Sequence, residues 1–186
     1  MSTVQQQDID KALLSTQVIP REKFLFWINS TEDLRTIEKL YRITRDGYYR
    51  IQPELGSEPT CGLIQSYHLR CVQENVTGDE RISNRWEACG SLHIWLRHLL
   101  GMGDSSEILH STAKAVTELF LAGNQEMRDT IETAFLEHAL ETEALRPFFE
   151  HWASDSRLQE AWSRALAWGK AHPDFSWDLL QQIPRE

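Results

Sequence analysis

The seven histidines and three cysteines are the side chains of this 186-residue chain that are best suited to hold a metal ion. His93 and His98 are five residues apart, which on a helix separates them by about 140° and keeps them off a common face. Cys61, Cys71 and Cys89 lie 10 and 18 residues apart, which does not match the spacing of a zinc site. The sequence therefore predicts no metal site.

Short signatures of catalysis or phosphate binding are also missing from the sequence. There is no Gly-x-Ser-x-Gly elbow and no Gly-Lys-Ser or Gly-Lys-Thr loop. The adjacent pairs Glu137-His138 and Glu150-His151 point about 100° apart on a helix and form no ready dyad. We predict a non-enzyme without a cofactor. One alternative stays open, a small hydrolase whose polar pocket near His68, His93 or Cys89 is assembled from distant residues.

Negative charge is concentrated in the C-terminal part of the chain. Residues 104–186 carry 15 Asp and Glu against 7 Lys and Arg, whereas residues 1–103 carry 13 against 12. An acidic field attracts basic proteins and repels nucleic acids and anionic membranes. Arginines interleaved with tyrosines between residues 41 and 85 could face a nucleic acid, but the overall acidity opposes it. The charge pattern favours a basic protein partner.

Hydrophobic periodicity predicts an α+β fold that is predominantly helical. Residues 1–78 are interpreted as a mixed portion with a helix at 8–16, a strand at 24–28, a helix at 31–41, a hairpin around Asp46-Gly47 and a strand at 63–73. Residues 79–186 are interpreted as a helical bundle with helices from Asp79, Asp104, Asn124, Pro147 and Ser156, and further helix at 175–183. We expect a small N-terminal antiparallel sheet with a helix, packed on this bundle in one continuous globular unit.

Two helices of the predicted bundle have unusual apolar patterns. Two neighbouring apolar stripes over residues 82–100 predict a central helix that is buried on more than one side. In the helix after Asn124, Leu136 and Leu140 fall on the side opposite to Ile131. Either that helix is packed on both faces, or the leucines form an exposed apolar strip ringed by carboxylates, which would suit a basic partner. The predicted partner-binding residues are Glu126, Asp129, Leu136, Glu137, Leu140, Glu141 and Glu143.

The segment Val116–Phe149, VTELFLAGNQEMRDTIETAFLEHALETEALRPFF, resembles small bacterial immunity-type proteins. The shared features are a helix that ends in Gly-Asn, an acidic helix with Phe135-Leu136-Glu137 at its core, and a Leu-x-Pro-like turn. The resemblance implies a non-catalytic protein that neutralises a cognate toxin by tight binding, often by covering its active site. It implies no fixed set of functional residues, because such families recognise individual toxins with variable surfaces.

The sequence leads to one prediction of function with an alternative for assembly. Residues 1–10 lack the basic and apolar regions of a secretory signal, no apolar stretch is long enough to span a bilayer, and the odd number of cysteines suggests reduced thiols. We therefore expect a cytoplasmic immunity protein that binds a basic toxin domain and neither nucleic acid nor membrane. A homodimer or scaffold is favoured instead if Leu136 and Leu140 are buried against a second copy.

Overall fold

Residues 3–75, 82–102 and 105–173 are described by a computed structural model of the chain. Their α+β fold is predominantly helical, as predicted, with one small sheet in the N-terminal part. The chain divides into two units, Met1–Asn84 and Arg85–Glu186. Within the described ranges, no helix is both long and apolar enough to cross a membrane. The helix predicted at 175–183 and the helix starts predicted at Asp79 and Asp104 lie outside the described residues.

The first unit contains four helices and a two-stranded sheet among its described residues. The two strands run parallel, with Ile19 opposite Ile51, so the predicted antiparallel direction is wrong. Two helices separate the strands in sequence, and such a crossover returns the chain in its original direction. The elements are α1 (Thr3–Leu14), β1 (Ile19–Pro20), α2 (Arg21–Asn29), α3 (Leu34–Gly47), a 3₁₀ turn (Tyr48–Arg50), β2 (Ile51–Gln52) and α4 (Ser57–Glu74).

Three segments of the first unit that the sequence predicts as strands or a hairpin turn are helical in the structure. The strand predicted at 24–28 lies in α2, where Phe24 and Trp27 are buried three residues apart. The predicted hairpin turn, Asp46-Gly47, is the end of α3. The strand predicted at 63–73 lies in α4, whose buried Leu63, Tyr67 and Cys71 repeat every four residues, as one face of a helix requires. Aromatic and β-branched residues are weak signals wherever tertiary contacts favour a helix.

The Arg50 side chain, just before β2, links that strand to the C-terminal end of α1. Its guanidinium is buried and donates hydrogen bonds to the carbonyl oxygens of Ala12, at 2.6 Å, and Gln17, at 3.1 Å. These oxygens belong to the last turn of α1 and the segment after it, where Ala12 otherwise accepts, among the described residues, only a long backbone hydrogen bond from the Ser15 N–H, at 3.4 Å. The side chain therefore closes the C-terminal end of α1 against the β2 strand.

The second unit is helical throughout its described residues. Asn124 accepts a hydrogen bond from the Met127 N–H at 2.9 Å, which confirms the predicted helix start, and Pro147 lies in the first turn of its helix, as predicted. The elements are α5 (Arg85–Leu100), α6 (Ser106–Ala122), α7 (Gln125–Thr130), a π-helical segment (Ile131–Leu136), α8 (Glu137–Glu141), a 3₁₀ turn (Glu143–Leu145), α9 (Arg146–Phe149), a second 3₁₀ turn (Glu150–Ser154) and α10 (Gln159–Ala171). The segments from α7 to α8 form one continuous helix.

The α5 helix is buried on one side only. Ala88, Leu92 and Leu99 face the core, and the helix contacts the π-helical segment and α8. Trp86, however, is 55% exposed and Ile94 is 60% exposed. Both predicted stripes contribute buried residues, Cys89 and Leu96 from one and Ala88, Leu92 and Leu99 from the other, but they merge into one broad face and burial on more than one side is not observed.

Candidate protein-binding surface

A π-helical turn interrupts the helix that carries the predicted partner-binding residues. The Glu137 N–H donates to the Glu132 carbonyl, five residues back rather than four. The extra residue turns everything after it back by about 100° relative to a straight α-helix. Leu136 and Leu140 are thereby moved toward the side of Ile131, and both are 0% exposed.

The predicted exposed strip of leucines is therefore wrong. Leu136 and Leu140 lie between α5 and α10, both of which pack on the helix that carries them. The other interpretation of the pattern, a helix packed on both faces, describes the structure. Leu136 and Leu140 are buried within their own chain and are not available to a partner, so this route to a homodimer is also removed.

Glu132, which was not among the residues predicted from the sequence, links the π-helical segment to α10. Both of its carboxylate oxygens accept hydrogen bonds from Arg164, at 2.6 and 2.8 Å. The Glu132 side chain is only 9% exposed, whereas that of Arg164 is 53% exposed and also reaches Glu160. A two-pronged arginine contact of this kind fixes geometry as well as charge.

We expect Arg164→Ala to destabilise the second unit by about 1–2 kcal/mol, because it leaves the Glu132 carboxylate buried without its partner. The estimate is below the cost of a fully buried pair, since Arg164 is half in water. The double variant Glu132→Gln, Arg164→Ala should recover part of the loss. Urea unfolding measures both values, and a double variant less stable than Arg164→Ala would contradict the assignment.

Three of the predicted carboxylates lie at the surface. Glu126 is 58% exposed and forms an ion pair with Arg85, whose own side chain is buried. Asp129 is exposed and accepts a hydrogen bond from the Gln125 side chain at 2.7 Å. The side chain of Glu143 is 91% exposed, with its carboxylate 4.0 Å from the Arg146 guanidinium. Asp129 and Glu143 are therefore the charges most open to a partner, while Glu126 is partly neutralised.

Glu141 is held inside a cluster of aromatic and imidazole rings. Its Oε1 accepts hydrogen bonds from His138 Nδ1, at 2.8 Å, and from Trp168 Nε1, at 3.3 Å. The His138 ring stacks on His93 of α5, and the Trp168 ring stacks on His172 with centroids 4.0 Å apart. Glu141 therefore links α8 to α10 more than it faces solvent.

Glu137 lies half-buried among other carboxylates. Burial raises the pKa of its carboxyl above the usual value, and the negative charges of Glu132 and Glu141 raise it further against the opposing effect of His138. A raised carboxyl pKa means that the local environment disfavours negative charge and would favour a nearby cation. The negative charges of Glu132 and Glu141 would therefore favour a basic side chain beside Glu137, whereas its burial would oppose one.

We expect Glu137→Gln to be slightly more stable than the natural protein at neutral pH. A carboxyl with a raised folded-state pKa contributes stability when it is protonated at low pH, and that contribution is lost as the pH rises through the folded pKa. The gain should be about 0.5 kcal/mol or less at pH 8 and should vanish at pH 4, because the site is half-exposed. Chemical unfolding at both pH values measures it, with Glu143→Gln as the unchanged control. A less stable Glu137→Gln at pH 8 would contradict the account.

The side chains named for the hydrolase alternative have the contacts of packed residues. Burial raises the pKa of the Cys89 thiol to about 12, so it remains a thiol and not a thiolate nucleophile at neutral pH. His68 Nδ1 lies 2.9 Å from the Ile64 carbonyl oxygen, and its ring contacts Tyr41 and Tyr67. Among the described residues, no group of three or more His, Cys, Asp or Glu side chains could hold a metal ion.

The comparisons with known proteins leave the acidic surface as the basis of any functional conclusion. Neither known protein families, nor curated proteins, nor solved structures gave a significant match to the chain. The resemblance of residues 116–149 to immunity-type proteins stays a hypothesis carried by those residues alone.

Proposed function

We propose that this protein is a non-catalytic inhibitor that binds a basic bacterial toxin through its acidic α7–α8 helix and the 3₁₀ turn that follows it. The observation that carries the proposal is the placement of Asp129 and Glu143 at the surface of a unit in which Glu137 is surrounded by further negative charge. A cationic partner would lower the energy of all three carboxylates. A cytoplasmic location belongs to the same proposal, since an immunity protein must meet its toxin in the producing cell.

Long-range attraction is the main contribution expected from these charges. Carboxylates at the surface speed the encounter with a basic protein but add little to the strength of the final contact. Screening at physiological salt limits their reach to about 8 Å. Asp129 and Glu143 therefore steer the partner, and a cationic side chain placed beside Glu137 would offset the repulsion from Glu132 and Glu141.

Because Leu136 and Leu140 are buried, another side chain must supply the apolar contact with the partner, and Trp168 is suited to it. Trp168 is 40% exposed and its Nε1 donates a hydrogen bond to Glu141 at the end of α8, so a partner that binds over this end of the helix also meets an indole ring. Tryptophan is enriched among the residues that hold protein interfaces together, and its ring face can also receive an arginine. We assign Trp168 as the apolar anchor at the α8 end of the proposed surface.

Immunity-type proteins are often encoded beside their toxins, so a pull-down with the product of the gene next to this one tests the proposal. The natural protein should retain that product, and Trp168→Ala should weaken the complex by about 30-fold, in line with the loss of a central tryptophan. Phe26→Ala removes an exposed aromatic ring of the other unit, which neither proposed surface uses, and serves as the control. Equal losses in the two variants would move the interface away from Trp168.

A further inference from the structure

The outer face of α5 carries large apolar side chains that nothing in the described part of the chain covers. Its inner face buries Ala88, Leu92 and Leu99. Ile94, on the opposite side, and Trp86, on the flank next to it, are each more than half exposed. Gly90 lies midway between them, one turn from each, and a Cβ built at Gly90 would meet nothing within 4 Å. The face therefore presents two apolar projections with an open gap between them.

The succession of a large, a small and a large residue, Trp86, Gly90 and Ile94, suits the packing of α5 against the same face of a second α5 helix that runs antiparallel to it. In an antiparallel pair, Ile94 of each helix can fill the gap over Gly90 of the other, since both residues lie next to the centre of the face. A two-fold interface requires a surface that is complementary to itself, and this arrangement satisfies that requirement. Small residues at the contact also let two helices approach closely.

The charges at the two ends of α5 favour the same direction. Glu87 lies in the first turn and His98 in the last turn, both on the exposed side. An antiparallel pair that sets Gly90 against Ile94 also brings Glu87 of one helix near His98 of the other. The helix dipoles then lie head to tail, which is favourable, whereas a parallel pair would set Glu87 against Glu87.

We propose that α5 pairs with the same face of a second copy of this chain in an antiparallel, two-fold dimer, with Ile94 of each copy over Gly90 of the other. Trp86 packs at the edge of the same seam. The proposal is independent of the proposed inhibitory function, because the outer face of α5 points away from the π-helical segment that its inner face contacts.

Sedimentation equilibrium over a range of concentrations tests the dimer. The natural protein should dimerise reversibly, and Ile94→Glu should raise the dissociation constant at least ~30-fold, since it places two charges in the centre of the seam. Val18→Glu, at a similarly exposed aliphatic residue of the other unit, is the control and should leave dimerisation unchanged. Circular dichroism checks that both variants fold. A natural protein that is monomeric at every concentration, or a dimer indifferent to Ile94→Glu, overturns the proposal.

A charge exchange tests the direction of the pair. Glu87→Lys should weaken the dimer about two- to fivefold, because it replaces the carboxylate near His98 of the other copy with a second basic group. Adding His98→Glu should restore it, because the exchanged pair is again of opposite sign. A double variant no tighter than Glu87→Lys alone would exclude the antiparallel register.

Discussion

Replacing Gly169 with alanine should destabilise the second unit by about 3 kcal/mol. An alanine Cβ at this position would lie 2.5 Å from the Leu140 carbonyl carbon and 2.6 Å from its oxygen. Both atoms belong to the backbone, so no side chain can turn aside and α10 must move away from α8. Urea unfolding followed by circular dichroism measures the loss.

The matched control for this substitution is Gly62→Ala. Gly62 is also a helical glycine, in α4, but a Cβ there would meet nothing within 4 Å. Alanine is favoured over glycine in a helix by about 1 kcal/mol, so this variant should be more stable than the natural protein. If the free energy of unfolding falls in Gly169→Ala and rises in Gly62→Ala, the loss at Gly169 comes from close packing and not from helix propensity. A Gly169→Ala protein as stable as Gly62→Ala would contradict the described contact between α8 and α10.

Reversing the charges of Asp129, Glu137 and Glu143 to lysine should weaken the complex with the basic partner at least ~100-fold. Each change replaces an attraction by a repulsion, and like charges brought together at an interface cost several kcal/mol. Glu126 and Glu141 are left unchanged because they pair with Arg85 and His138, so that altering them would disturb the fold. Isothermal titration calorimetry with the product of the neighbouring gene measures the affinity.

The control for the charge reversal is a second triple variant, Glu107→Lys, Glu118→Lys and Glu150→Lys. These three carboxylates are exposed in the same unit, and their reversal changes the net charge by the same amount. A local surface predicts a loss of no more than about tenfold for this variant, because distant charges are screened. Equal losses would mean that net charge alone, and not the α7–α8 helix, attracts the partner.

Local signals in the sequence were sufficient for much of the helical part of the fold. The Asn124 cap and Pro147 in a first turn are short-range features, and both lie where the sequence predicts them. The strands predicted at 24–28 and 63–73 failed because their aromatic and β-branched residues also fit a buried helical face. Secondary structure there is decided by tertiary packing, which a short window of sequence does not contain.

The predicted surface failed in part because helical phase was assumed to be continuous. The π-helical turn before Glu137 rotates Leu136 and Leu140 into the core, and no residue pattern marks such a turn. The pairs Arg85–Glu126 and Glu132–Arg164 join residues 41 and 32 positions apart, so their partial neutralisation of the acidic surface could not be predicted from spacing. The exposure of Asp129, which precedes the π-helical turn, follows from helical phase, whereas Glu143 lies in the 3₁₀ turn after the helix.

The association rate with the product of the neighbouring gene, measured by stopped flow at rising salt, tests the acidic surface most directly. Steering by Asp129, Glu137 and Glu143 predicts a rate that falls steeply as salt increases, and a shallow dependence in the triple lysine variant. A natural protein whose association rate is indifferent to salt would contradict the proposed role of the α7–α8 carboxylates.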